Sequence, residues 1–269
     1  MLFRSSGCAW SPDGRFIASA SKDGTVRLWD AHTFQYVDTL MRGSTEARCL
    51  VFSSNGRWLA SGFSVGNVCI WRVVPATLRK FISNSQWQTE DGQTAIAFDP
   101  EGMRLATSTA TCRTDTAVKI YGVETGECLF TSEHTSRIND FSFSPDGKLL
   151  LGATEDGTLR IWDTDMGITE LFVLQGHTGP VLKACFSPCG VFIASASFDG
   201  TVRLWRTRDG TCVETFSEYT GKVTHVVFAP DGKTLWFGED NGTVFFRRMS
   251  DILPLDDFLL YYLSSPATH

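Results

Sequence analysis

The 269-residue chain has no apolar run approaching the ~18 to 20 residues of a membrane-spanning helix, and its first ten residues, MLFRSSGCAW, lack the apolar core of a secretion signal. A soluble intracellular protein, cytoplasmic or nuclear, is the expectation. It has no block of basic residues either: 24 Lys and Arg stand against 30 Asp and Glu, a net charge of −6. That mild acidic excess argues against a phosphate-backbone partner, so neither nucleic acid nor membrane is expected as a ligand. The eight cysteines, Cys8, Cys49, Cys69, Cys112, Cys128, Cys185, Cys189 and Cys212, form no C-x-x-C pair. Scattered through apolar, strand-like stretches, they read as reduced core thiols. Cys185 and Cys189 are the one close pair and have no His placed to complete a zinc set. P-loop and H-E-x-x-H patterns are missing as well. No cofactor, no metal and no catalytic residue are expected.

What the chain does have is repetition. SFDGTVRLW, Ser197 to Trp205, is also written SKDGTVRLW, Ser21 to Trp29. A glycine-containing turn recurs with its glycine at 14, 56, 102, 147, 190 and 232, spaced 42, 46, 45, 43 and 42 residues apart. After each turn comes a second turn and a strand-like run ending at Trp29, Trp71, Tyr121, Trp162, Trp205 and Arg247. Stretches such as FIASAS (Phe16 to Ser21) mix β-branched or aromatic residues with small ones, and Thr25 to Trp29 alternates side-chain type at period two, the mark of a strand. Asp-Gly and Asn-Gly supply the positive φ that hairpin turns require. Four short strands per unit follow. A lone sheet of this kind would leave apolar faces bare, so successive sheets must stack, and twist carries the stack round an axis into a β-propeller.

The period, the Ser-Pro-Asp-Gly turns, the pairs Trp29-Asp30 and Trp162-Asp163, and Gly176-His177 resemble the WD-repeat (Trp-Asp repeat) β-propeller family from about Cys8 to Arg248. The resemblance implies an all-β ring of four-stranded blades, usually seven, acting as a binding platform. Six repeats occupy residues 1–250. Residues 251–269 form a tail, either an outer strand of blade six or a short helix, and are too few for a seventh blade. Either six blades close directly or the ring is an incomplete seven-bladed one, whose bare terminal faces would invite self-association.

The resemblance also implies a buried polar network joining a His before the first strand, a hydroxyl in the second, an Asp in the second turn and the third-strand Trp. Unit five has every member: His177, Ser195, Asp199 and Trp205. Unit four has His134, Asp156 and Trp162, with Gly152 at the hydroxyl position. Unit one has Ser19, Asp23 and Trp29, with Met1 where a His would be. Unit two keeps Ser61 and Trp71, unit three Thr107, Asp115 and Tyr121, and unit six has Phe237, Asn241 and Arg247 instead. Blades four and five are expected to be rigid and blade six the loosest. His177, Asp199 and Ser195 invite reading as a hydrolase triad, but a hydroxyl committed to a buried Trp is better read as structural.

Second-turn loops and the loops leading into first strands are placed by the resemblance on one rim, the usual partner-binding face. Lys22, Glu155, Phe198 and Asp240 precede turn positions there, and Arg137 and Leu182 lie where first strands begin. Phe198 is the one difference within the twin nine-residue sentence and a candidate anchor for a partner peptide. Unit three has a four-residue insertion that would lift Cys112 and Arg113 above the rim, and Phe81 to Gln93, with Trp87, is a second lengthened loop. Counting three residues back from each first-strand aromatic gives Gly7, Cys49, Ala95, Asp140, Lys183 and His225. Asp140, Lys183 and His225 would thus form a polar cluster along the channel, either inter-blade ion pairing or a site for a small ion or water. The favoured function is a non-catalytic scaffold for a protein or peptide partner. The alternatives are a sensor or assembly segment of a larger multidomain protein, and a propeller enzyme or small-ligand binder working through the channel.

Overall fold

The computed structural model describes residues 5–64, 68–73, 81–83, 95–110, 116–134, 136–165, 167–219, 221–254, 257 and 261. Each repeat begins with a turn built by local chemistry. In the first, Ser11 Oγ donates to Asp13 Oδ1 at 2.6 Å and accepts from Phe16 N at 2.9 Å, while Gly14 N closes on Ser11 O at 2.9 Å with Gly14 at φ 70°. Ser144 and Asp146 repeat the geometry around Gly147, and Ser53 and Asn55 around Gly56. The third repeat has Asp99 at the serine position, and its carboxylate accepts from Met103 N, Arg104 N and Arg104 Nε. Side chains two residues apart thus hold these hairpins locally.

Between the turns lie six antiparallel sheets whose strands follow chain order. The first has Ser5–Trp10, Phe16–Ser21, Thr25–Asp30 and Tyr36–Arg42. The second has Ala47–Phe52, Trp58–Phe63, Val68–Arg72 and Phe81–Ser83. Ile96–Phe98, Arg104–Ala110, Thr116–Gly122 and Cys128–His134 make the third. In the fourth are Ile138–Phe143, Leu149–Thr154, Leu159–Asp163 and Thr169–Leu174. The fifth comprises Val181–Phe186, Phe192–Ser197, Val202–Arg206 and Cys212–Phe216. Among the described residues the sixth has three strands, Val223–Phe228, Thr234–Glu239 and Val244–Arg248, followed by the one-turn helix Met249–Ile252. The chain is all-β, with sheets of the propeller-blade kind.

Two compact units divide the chain, Met1–Arg137 and Ile138–His269. Each is a stack of three sheets. In the first unit Ala18, Ala20, Val26 and Leu28 of sheet one pack on Ala47, Phe52 and Leu59 of sheet two. Sheet two in turn lays Trp58, Ala60, Val68 and Ile70 on Ile96, Phe98 and Leu105 of sheet three. In the second unit Leu151, Leu159 and Ile161 meet Val181, Phe186 and Ile193, and beyond them Ala194, Val202 and Leu204 meet Val226, Leu235 and Phe237. Each of these interfaces sets apolar residues of one sheet's second and third strands against the first and second strands of its neighbour. Each fully buried aliphatic side chain contributes about 1.5–3 kcal/mol, so the stacked faces carry the fold's stability.

Beyond the sixth sheet, Asp257 and Tyr261 are held by residues of the fifth and sixth repeats. Asp257 accepts from Arg206 Nε and Nη2 at 2.8 and 2.6 Å, and Tyr261, its ring 5.6 Å from that of Phe192, donates its hydroxyl to Gly232 O at 2.5 Å. The cysteine reading needs correction. Of the seven described cysteines, all free, Cys69 is buried but Cys8 and Cys128 are exposed, because strand alternation turns them away from the stacked faces. Burial pushes the Cys69 thiol up to about 12, so it stays protonated and inert. Among the described residues no helix is long and apolar enough to cross a membrane.

Candidate functional site

The fifth sheet holds the most complete polar chain. Trp205 Nε1 donates to Ser195 Oγ at 2.9 Å, Ser195 Oγ lies 2.8 Å from His177 Nε2, and His177 Nδ1 lies 3.0 Å from Asp199 Oδ2. The directions follow. Indole N–H gives to hydroxyl, hydroxyl to Nε2, and Nδ1–H to carboxylate, which leaves His177 a neutral imidazole. Asp199 also accepts from Thr178 N at 2.9 Å, Thr201 N at 2.9 Å and Thr201 Oγ1 at 2.7 Å. Burial works to raise the Asp199 pKa, but these donors hold it down to about 2. Burial lowers the His177 pKa against the pull of Asp199, consistent with the neutral ring. The connectivity is that of a hydrolase triad, but Ser195 has no exposed surface and lies beneath Trp205, so no substrate carbonyl can reach its oxygen.

The other sheets depart from this pattern in ways that spacing does not reveal. Asp156 gives its oxygens to Thr154 Oγ1, Thr158 N, Thr158 Oγ1 and Arg160, while His134 Nδ1 accepts from Ser136 N at 3.3 Å. A Cβ on Gly152 would fall 2.7 Å from Trp162 Cζ3, so the fully buried indole occupies the volume that a hydroxyl would need. In sheet one Trp29 Nε1 reaches Ser19 Oγ at 3.0 Å, while the exposed Asp23 binds Thr25 and Arg27. Trp71 is buried, and the hydroxyls of Ser61 and Thr107 are buried with no partner among the described residues. Tyr121 is buried; Met1 and Asp115 lie outside the described residues. The sixth sheet substitutes aromatics: Phe237 packs 5.0 Å from Tyr219, 5.8 Å from Phe245 and 6.3 Å from Phe216. There Asn241 bonds Glu239 and Thr243 N.

A bulge sets the level of the residues counted back from the first-strand aromatics. Five first strands shift register immediately before Gly7, Cys49, Asp140, Lys183 and His225, and the extra residue re-aims the side chains beside it. Lys183 Nζ donates to Asp140 Oδ1 at 2.6 Å, and Ala184 N to Oδ2 at 3.3 Å, which ties sheet four to sheet five. Burial raises the Asp140 pKa against the pull of Lys183. His225 is exposed and bonds Thr224 Oγ1 at 2.9 Å instead. Among the described residues no group of His, Cys, Asp and Glu could hold a metal ion.

In the second unit the turn residues are open. Phe198 is 47 % exposed, its N–H donates to Pro180 O, and Lys222 Nζ sits 3.8 Å from its ring centroid. Exposed Asp240 donates its N–H to Lys222 O. Glu155 is exposed and accepts from Asn139 Nδ2, a bulge residue that also reaches Val181 O; Leu182 is half-buried. In the first unit Lys22 is exposed and Arg137 half-buried, while Cys112, Arg113 and Trp87 lie outside the described residues. Sequence reasoning missed Gly62-Phe63-Ser64-Val65-Gly66, which spells G-x-S-x-G. Ser64 follows the strand Trp58–Phe63 and precedes another, Val68–Arg72, rather than a helix, so the nucleophile-elbow context is missing.

The family model described as WD domain, G-beta repeat matches residues 6–30, 35–72, 126–163, 168–206 and 210–246. The first three strands of the third sheet fall between the matched stretches. Among curated proteins the chain is similar to WD repeat-containing protein SL1-17 of Schistosoma mansoni, 30% identical over 155 residues, covering 57% of this chain and 48% of that protein. It is similar to nuclear distribution protein PAC1 of Arthroderma benhamiae, 29% identical over 174 residues, 58% of this chain and 38% of that one. Protein hir1 of Emericella nidulans is 30% identical over 176 residues, with coverage of 58% and 17%. The chain therefore spans less than half the length of these relatives.

Proposed function

Since the chain belongs to the WD domain, G-beta repeat family, we propose that it is a non-catalytic intracellular platform that binds a protein or peptide partner through the turns of its sheets. The observation that carries this reading is the setting of Phe198. A large apolar side chain stands in the turn of the most completely hydrogen-bonded sheet, half exposed, with Lys222 on its ring. An exposed aromatic anchor in a hydrogen-bonded turn suits a peptide better than a phosphate backbone. The burial of Ser195 and the commitment of Asp140 to Lys183 and Ala184 support a structural role for both groups. Glu155 and Leu182 are assigned to the same rim of the unit Ile138–His269, and Lys22 and Arg137 to partner contact in the unit Met1–Arg137.

Immobilised wild-type chain and its Phe198→Ala variant, exposed to the same cell extract, test the reading. The variant is expected to keep its stability within about 0.5 kcal/mol and to lose about tenfold or more of the affinity for the captured partner. Capture unchanged by the substitution sinks the anchor. A metal-dependent or hydrolytic activity of the pure chain that disappears in Asp140→Ala or His225→Ala sinks the platform.

A further inference from the structure

The strand Val244–Arg248 ends in the chain's one pair of adjacent arginines, and Ser250 follows two residues later. No other serine or threonine in the chain has arginine at both the third and the second position before it. Its hydroxyl also differs in its use. Ser11, Ser53 and Ser144 are buried and close their hairpins, and Ser195 is buried in the network of sheet five. Ser250 is exposed, and its hydroxyl donates to the equally exposed Asp251 Oδ1 at 2.8 Å.

The backbone around it opens at small cost. Arg248 already has strand geometry, φ −82° and ψ 134°, and makes no side-chain cap bond. Met249–Ile252 beyond it is a single turn, far below the ~12 to 15 residues at which a helix holds itself in water. Met249, 1% exposed, pins one end with its N–H on Lys233 O, and Leu253 N on Met249 O at 3.1 Å closes the other. Extending the chain through Ser250 opens that turn and leaves the three strands of the sheet paired.

Charge points the same way. Arg247 holds the carboxylate of Glu218 at 2.9 Å, but Glu218 is 76% exposed, and a pair so open to water yields to a competitor. Arg248 and Lys233 are exposed and have no ion-pair partner among the described residues. Two guanidiniums ahead of an exposed hydroxyl form a charge pattern that a kinase cleft lined with carboxylates selects.

We propose that Ser250 is a phosphorylation site for a serine kinase whose substrate cleft holds carboxylates for Arg247 and Arg248. Ser250 Oγ bonds to the γ-phosphorus of ATP while the bond from that phosphorus to the bridging oxygen breaks; ADP leaves with the electron pair, and the hydroxyl proton passes to the kinase's catalytic carboxylate. The product adds a charge of about −1.5 to −2 at pH 7. That charge enters between the sixth sheet and the residues Asp257 and Tyr261, which bond Arg206 and Gly232. The site is independent of the Phe198 anchor.

The full chain and the synthetic peptide Phe245 to Pro254, FFRRMSDILP, are each incubated with the catalytic subunit of cyclic-AMP-dependent protein kinase, Mg²⁺ and ATP, and phosphate is located by fragment masses. Both are expected to be phosphorylated on Ser250. Ser250→Ala is expected to remove the phosphate from the chain. Arg248→Ala changes an exposed side chain and is expected to leave the melting curve in place while lowering the kinase's kcat/KM about tenfold or more, since one charge pair is lost. A phosphorylated peptide beside an unmodified folded chain would overturn the proposal, because the turn would then keep its hydroxyl from the kinase. So would phosphate on neither, a chain modified equally after Ser250→Ala, or a rate indifferent to Arg248→Ala.

Discussion

Trp205→Ala is expected to destabilise the unit Ile138–His269 by about 3–5 kcal/mol, the range for truncating a fully buried tryptophan. Trp205 is 2% exposed and packs with Leu151, Ile161 and Ile193 in the interface of sheets four and five. Its indole N–H is also the first donor of the chain that runs through Ser195 and His177 to Asp199. Alanine opens a cavity at a sheet interface that strands pinned on both sides cannot close, and leaves Ser195 short of a donor. Trp29→Ala in the first sheet is the control. Trp29 makes the same bond to Ser19 but is only half-buried, with Tyr36 at its edge, so its loss is expected to be clearly smaller. Urea midpoints of the two variants decide the matter. Equal losses, or a loss below about 1 kcal/mol for Trp205→Ala, would mean that the fifth sheet is not held as described.

Acidification is expected to weaken the same unit in two stages. His177 titrates near 6.5 when unfolded and lower when folded, because burial disfavours its charged form. Unfolded chain therefore binds the extra proton first: the contribution is fully present above about pH 6.5 and is lost as the pH falls toward the folded value. Asp199 follows. Its pKa drops from 3.8 to about 2 on folding, so on the order of 2 kcal/mol present above about pH 5 disappears by about pH 2. In His177→Gln the first limb should flatten. Asp199→Asn should cost a similar ~2 kcal/mol at neutral pH, with the gap to wild type closing as the pH approaches 2. Urea midpoints measured from pH 8 to pH 2 test both limbs. A wild-type profile flat between pH 7 and pH 5 would mean that His177 takes up its proton as readily in the fold as in the unfolded chain.

Position along the chain was legible; bonding partners and edges were not. The turns could be read because their chemistry is local: Ser11, Asp13 and Gly14 complete a hairpin among themselves, the turns at Ser53 and Ser144 repeat it, and the closing glycine N–H recurs in all six. The alternation of Thr25 to Trp29 revealed a strand for the same reason. Sheet six shows where this fails: among the described residues it has three strands, and the spacing of the repeat gives no sign of the difference. Gly152 looks in the letters like a missing hydroxyl, whereas the Trp162 ring fills the space. Asp156 sits at the same offset from its tryptophan as Asp199 does, but Thr154 and Arg160 compete for its oxygens. The cysteines read as core thiols because alternation identifies a strand without saying which face is buried.

The most direct test of the platform is a photo-crosslinking phenylalanine analogue placed at position 198 or at position 34 of the chain inside living cells. Phe198 is the proposed anchor. Phe34, 70% exposed in the hairpin between strands Thr25–Asp30 and Tyr36–Arg42, is an equally accessible aromatic with no assigned role. The expected result is a discrete covalent adduct with one protein from position 198 and none from position 34. Adducts of equal yield from both positions, or none from 198, would contradict the account.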